Sequence, residues 1–176
     1  MQYREAGEKL AALRRDIAAL RQKMRAVQRS AEPQEVENYR FPSSDGTVRL
    51  SQLFGGKEYL FVIHNMGTAC PHCTMWADGF NGVLPHLAGR AAFVVSSPDD
   101  PATQRAFAAA RGWRFRMVSH QGTSFAADMG YRDESGFLPG VSVFRRAGDA
   151  IVRVSDAPFE RGDDFCTVWH FFDLLP

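Results

Sequence analysis

Cys70-Pro71-His72-Cys73 has the residue types and spacing of a dithiol that exchanges with disulfides. The motif follows an apolar run at residues 59–63 after a short loop, and it opens the next helical segment. A cysteine at a helix N-terminus sits beside unpaired backbone N–H groups and the positive end of the helix dipole. Both favour the anionic sulfur, which is the form that attacks. Pro71 suits the first helical position, where its missing N–H costs nothing. A protonated His72 adds positive charge beside the pair. Two intervening residues let one sulfur reach the other, so Cys70 is expected to attack and the more buried Cys73 to resolve the mixed disulfide. A structural zinc site wants a second cysteine pair, and Cys166 is the one other cysteine among the 3. The spacing therefore points to redox chemistry more than to metal.

The elements that must hold this motif alternate between strand and helix. Residues 59–63 and 91–96 are continuous apolar runs of strand length, as in strands covered on both faces. A helix punctuated by glycines spans 74–87. A second is opened by Pro101 and closed at Arg111 by Gly112. A third strand is read at 115–119, and a short helix at 123–129 is stopped by Gly130. Residues 141–145 and 151–155 flank Gly148-Asp149 as a hairpin. The last helix, 163–175, carries Phe165, Val168, Trp169 and Phe172 at helical spacing, with Cys166 on the same face. This order predicts an α/β fold with a central mixed sheet and helices on both faces.

Ahead of that domain, Tyr3, Ala6, Leu10, Leu13, Ile17, Leu20, Met24 and Val27 recur at alternating spacings of three and four. That is a heptad seam about four heptads long. Eight Lys/Arg against three Asp/Glu line its polar faces. The seam can lie on its own domain or pair with a second copy. Pro33 ends the helix and residues 32–38 read as a linker, which divides the chain into an N-terminal helix (1–32) and a second domain (33–176). With 176 residues, 45% hydrophobic and 23% charged, the chain is an ordinary globular protein. A net charge of +1 gives no global field for nucleic acid. No apolar run approaches a membrane span, and the N-terminus lacks the apolar core of a signal peptide. These features predict a cytoplasmic protein that binds neither nucleic acid nor membrane.

The motif, its preceding strand and the order that follows resemble the thioredoxin fold, and residues 45–54 resemble the opening of peroxiredoxin-like members. More closely, the chain resembles a bacterial family of predicted dithiol-disulfide oxidoreductases. That resemblance rests on Tyr39-Arg40-Phe41, Leu53-Phe54-Gly55-Gly56, Cys70-Pro71-His72-Cys73, Trp76-Ala77-Asp78-Gly79, Leu84-Pro85-His86-Leu87, Gly112-Trp113, the 140–144 strand, Arg161-Gly162 and Phe172-Asp173-Leu174. It implies a thioredoxin-like, peroxiredoxin-related domain. It also implies that His64, six residues before Cys70, takes the place of the buried carboxylate that accepts the resolving thiol's proton. The competing reading of His64 is a hydrogen-bonded core histidine. Pro139 is the candidate for the fold's cis-proline beside the dithiol, against an ordinary trans proline in a turn. Asp78, His86 and Arg161 match the family without a derivable role.

The reading that follows is a thiol-disulfide oxidoreductase acting on a protein or small-molecule disulfide or dithiol, with no metal or organic cofactor. A peroxidase is disfavoured, because Ile63 and Gly67 stand where peroxiredoxin sites carry Pro and Thr or Ser. A metal-binding module would draw on Cys70, His72, Cys73 and His64, donors suited to copper(I) or zinc. A non-catalytic interaction domain would use the N-terminal seam.

Overall fold

The computed structural model describes residues 2–176. The chain divides into two compact units, 1–32 and 33–176. The first is one helix, α1 (Tyr3–Ser30), none of whose residues is buried. Its polar face carries i,i+4 pairs such as Lys9 Nζ to Glu5 Oε1 at 2.8 Å.

In the second unit, β1 (Gln34–Val36) leads to a hairpin of β2 (Arg40–Ser43) and β3 (Gly46–Arg49), then a single turn of helix, α2 (Leu50–Leu53). Next come β4 (Tyr59–His64), α3 (Pro71–Arg90), β5 (Ala92–Ser97), α4 (Pro101–Arg111), β6 (Arg116–Ser119) and α5 (Phe125–Asp128). A two-residue ladder, β7 (Arg132–Asp133) with β8 (Gly136–Phe137), precedes the long hairpin β9 (Gly140–Ala147) and β10 (Ala150–Pro158). The chain closes with α6 (Thr167–Phe172). The main sheet runs β1-β10-β9-β4-β5-β6. β4, β5 and β6 are parallel, and β9 joins β4 antiparallel with His64 opposite Gly140.

Alternation along β4 divides the core. Leu60 and Val62 enter a cluster with Leu50, Phe54, Phe125, Met129 and Tyr131. Ile63 enters the other, with Cys73, Trp76, Phe80, Phe93, Trp113 and Trp169. α3, α4 and α6 cover this second face, and α2 and α5 the first.

Several elements differ from the sequence reading. The segment read as a linker contains β1, whose residues pair with the edge of β10, and Arg153 reaches across to Gln34 Oε1 at 2.7 Å. A free sheet edge recruits any extended backbone, so no apolar pattern was needed. α3, read as a helix over 74–87 punctuated by glycines, runs unbroken from Pro71 to Arg90 with Pro85 inside it. A proline leaves the carbonyl four residues earlier without its helical partner, and here Arg114 Nη2 donates to that Asn81 oxygen at 3.2 Å. The last helix begins at Thr167 because Asp163 Oδ1 accepts the N–H groups of Phe165 and Cys166, holding 163–166 as a turn.

Candidate active site

The strand-to-helix junction places the two motif cysteines differently. Cys70 is the N-cap of α3, extended at φ −93° and ψ 106°, and Pro71 follows at the first helical position. Its Sγ accepts the Cys73 N–H at 3.1 Å, and it remains half-exposed. The sulfur thus occupies the place of a capping oxygen, where the field of the first turn favours negative charge. Cys73, one turn on, is 2% exposed. Burial foremost, then its hydrogen bond to Cys70, push the Cys73 thiol up to about 12, while the Met66 N–H, 3.4 Å from its sulfur, pulls the other way. Both thiols are free. One sulfur is reachable at the helix cap; the other is buried behind it and held protonated.

The loop ahead of Cys70 is fixed by residues outside the motif. Asn65 Oδ1 accepts the Gly67 N–H at 2.8 Å, and Gly67 O accepts the Cys70 N–H at 3.1 Å. Gly67 has φ +102°, and a Cβ there would meet the Asp99 carboxylate at 3.1 Å, so both conformation and space ask for glycine. Asp99 accepts from the Thr68 N–H (3.0 Å), the Thr68 hydroxyl (3.3 Å) and the Ser97 hydroxyl (3.0 Å). It ties this loop to the end of β5. In sequence Asp99 and Asp100 look alike as helix caps. Only Asp100 caps α4, through the N–H groups of Ala102 and Thr103.

His72 is exposed, and its ring stands edge-on to Trp76 (6.4 Å) and Trp169 (5.4 Å). Trp76 is a core residue whose Nε1 donates to Asp163 at 3.3 Å. Asp78 pairs across to α4, accepting both from Arg111 and from Trp113 Nε1 (2.8 Å). The Arg111 contact foremost holds its carboxyl below the usual range. Asp78 is therefore an inter-helix tie. Arg161 lies over the Trp169 ring at 5.9 Å, His86 is exposed, and Cys166 is buried at the N-cap of α6.

The sheet and the backbone bear on two positions that the sequence leaves between two readings. His64 points to the face opposite Cys73: its ring stacks on Tyr131 (3.9 Å) and Phe125 (5.3 Å), and its Nε2 pairs with Ser142 Oγ at 2.9 Å. In a strand successive side chains alternate, so His64 shares the face of Leu60 and Val62 rather than that of Ile63, which packs with Cys73. It is a hydrogen-bonded core histidine, and burial drives its pKa well below the usual histidine range. Pro139 sits at the same end of the sheet as the motif, just before Gly140, and accepts the Phe159 N–H at 2.9 Å. No peptide bond is cis among the described residues, so Pro139 is the trans form.

Among the described residues no group of three His, Cys, Asp or Glu side chains converges as a metal site. No helix is long and apolar enough to cross a membrane among the same residues. A groove of about 300 Å³ between α4 and β6, lined in part by Gln104, Arg105, Trp113 and Arg116, contains neither motif cysteine.

Solved structures share this architecture at low identity. Xylella fastidiosa PrxQ, as a cysteine-to-serine mutant, matches with TM-score 0.66 and 15% identity over 81% of this chain and 95% of its own. Reduced Prx3 from Vibrio vulnificus, in complex with hydrogen peroxide, matches with TM-score 0.62 and 16% identity over 80% and 97%. Peroxidoxin BcpB from Mycobacterium tuberculosis matches with TM-score 0.59 and 24% identity over 72% and 84%. The fold is therefore thioredoxin-like and peroxiredoxin-related, with a long N-terminal helix added. No curated protein matches the chain. A family model does match, over residues 1–176, and the chain belongs to that family, described as "Bacterial protein of unknown function (DUF899)".

Proposed function

We propose that the protein is a thiol-disulfide oxidoreductase with Cys70 as nucleophile and Cys73 as resolving thiol. The observation that carries this reading is the asymmetry of the pair. Cys70 Sγ is half-exposed at the α3 N-cap with the Cys73 N–H 3.1 Å away, and Cys73 is buried with its thiol pushed up to about 12. In the forward direction the Cys70 thiolate attacks one sulfur of a substrate disulfide, and the other leaves as a thiolate that takes a proton. Cys73 then loses its proton and attacks Cys70 Sγ, releasing the second substrate thiol. The substrate is reduced by two electrons, the protein is left with a Cys70–Cys73 disulfide, and an external dithiol restores it. His72, Pro71 and Pro139 belong to the rim and entry of this site in the proposal. His64 has no part in the proton path.

The test is trapping. With a protein disulfide as substrate, Cys73→Ser should accumulate a mixed disulfide through Cys70, and Cys70→Ser should accumulate none. Equal trapping by both variants would overturn the assignment.

The peroxiredoxin-related fold favours one second reading, a peroxidase. There Cys70 would take an oxygen from a peroxide as sulfenic acid, releasing water or an alcohol, and Cys73 would condense with it, losing water. Peroxide consumption abolished by Cys70→Ser, with no exchange on disulfides, would select it.

A further inference from the structure

Helix α1 carries the one sequence pattern that the dithiol chemistry does not use. It is 28 residues long and none of them is buried. Leu10, Leu13, Ile17, Leu20, Met24 and Val27 are 48, 56, 45, 57, 63 and 69% exposed. A helix normally gains most of its stability by burying an apolar face, so this seam calls for a cover. We propose that α1 pairs with α1 of a second copy of this chain, parallel and in register, as a two-stranded coiled coil. The inference stands independently of the redox reading.

Three features select this occupant. The seam is a strict three-four repeat only two residues in seven wide, the width of a coiled-coil contact. A helix lying in a lipid interface presents a broader apolar face. In that register Tyr3, Leu10, Ile17 and Met24 take the a positions, and Ala6, Leu13, Leu20 and Val27 the d positions. Ile at a, with Leu at the neighbouring d positions, favours two strands in a parallel pair. The flanking charges then choose orientation. An antiparallel pair that layers Leu10 on Leu20 sets Lys9 beside Lys23, Arg14 beside Arg14 and Asp16 beside Asp16, all like-charged. The parallel pair has one repulsive layer, Lys9 beside Arg14 of the partner subunit, and an attractive one, Asp16 beside Arg21 of the partner subunit.

The experiment is sedimentation equilibrium on the full reduced chain at micromolar concentration, with expected mass twice 19.7 kDa. Ile17→Asp should sediment as monomer while keeping its cooperative unfolding transition. Independently, Leu20→Cys in a Cys70→Ser/Cys73→Ser background should cross-link to a dimer on mild oxidation, since equivalent d residues meet in a parallel pair. That arm decides the matter if Ile17→Asp fails to fold. A monomeric full chain overturns the proposal, as does a dimer indifferent to Ile17→Asp. So does cross-linking confined to mixtures of Leu10→Cys with Leu20→Cys, which reports the antiparallel pair. A monomer that instead pellets with phosphatidylserine vesicles also overturns it, because the basic face would then serve a lipid surface.

Discussion

At the sulfur of Cys73, burial and the Cys70 neighbour raise the thiol to about 12 while the Met66 N–H opposes them, and burial prevails. The consequence is selective chemistry in the folded, reduced protein. Alkylation near neutral pH followed by peptide mapping should label Cys70 and leave Cys73 and Cys166, both buried, unlabelled. In denaturant all three should react alike; equal labelling without denaturant would contradict the geometry. The histidines on the other face make a second prediction. His64 and His120 each bond a serine hydroxyl through one nitrogen, at 2.9 and 2.8 Å, and leave the other buried and unpartnered. Burial, the leading cause for both, lowers His64 well below 6.5 and His120 to about 4. Between those values and 6.5 the unfolded chain binds more protons than the folded one, so stability is full above 6.5 and falls as pH drops toward 4. For His120 alone the loss is on the order of 3 kcal/mol. Urea midpoints should decline across that window, before the carboxylates titrate, and His120→Gln should flatten the decline. A midpoint constant from neutrality to pH 4 would remove the argument.

At the scale of elements, β9 shows what the sequence could and could not reveal. Its hairpin with β10 was legible from apolar runs around Gly148, which takes φ +63° in the turn. Equally legible were β4 and β5 as apolar runs, α4 between Pro101 and Gly112, and Cys70 as the residue opening α3, because each depends on local chemistry. The face of His64 could be read in principle, since it lies two residues after Val62 and four after Leu60. The family resemblance implies a place beside Cys73, and strand alternation favours the core reading. Nothing local marks β1, the Asn81–Arg114 rescue of Pro85, or Asp99 as the holder of Thr68, because these are contacts between distant segments. Gly140 is another such contact. A Cβ there would clash with the Tyr131 ring and meet Ala157 O at 2.7 Å, although no positive φ demands glycine. Tyr131 is the ring stacked on His64, and its hydroxyl donates to Val141 O and Asp156 at 3.3 Å each. Gly140→Ala should therefore force the ring or β9 aside and cost about 2 kcal/mol or more. Thermal unfolding measures that loss, and a variant as stable as the parent would show that the ring gives way freely.

Across the whole molecule, the packed interior belongs to one unit. Among the described residues every buried apolar side chain lies between Tyr39 and Trp169, all but Ala91 and Ala126 in the two clusters on either side of the main sheet, and α1 contributes none. The dithiol is built from β4, the 65–70 loop and α3, and its supports Asp99, Trp113 and Asp163 lie in the same unit. A chain of residues 33–176 should then fold cooperatively and keep the labelling of Cys70 over Cys73, because the buried apolar residues of the described chain all lie within it. Its urea midpoint should match that of the full chain measured at a concentration too low for association, since any pairing would add mass-action stability to the longer chain alone. At higher concentration the midpoint of the full chain should rise and that of the truncated chain should stay. If residues 33–176 proved unable to fold, or labelled both cysteines, the helix would be part of the scaffold that holds the thiols rather than an appendage to it.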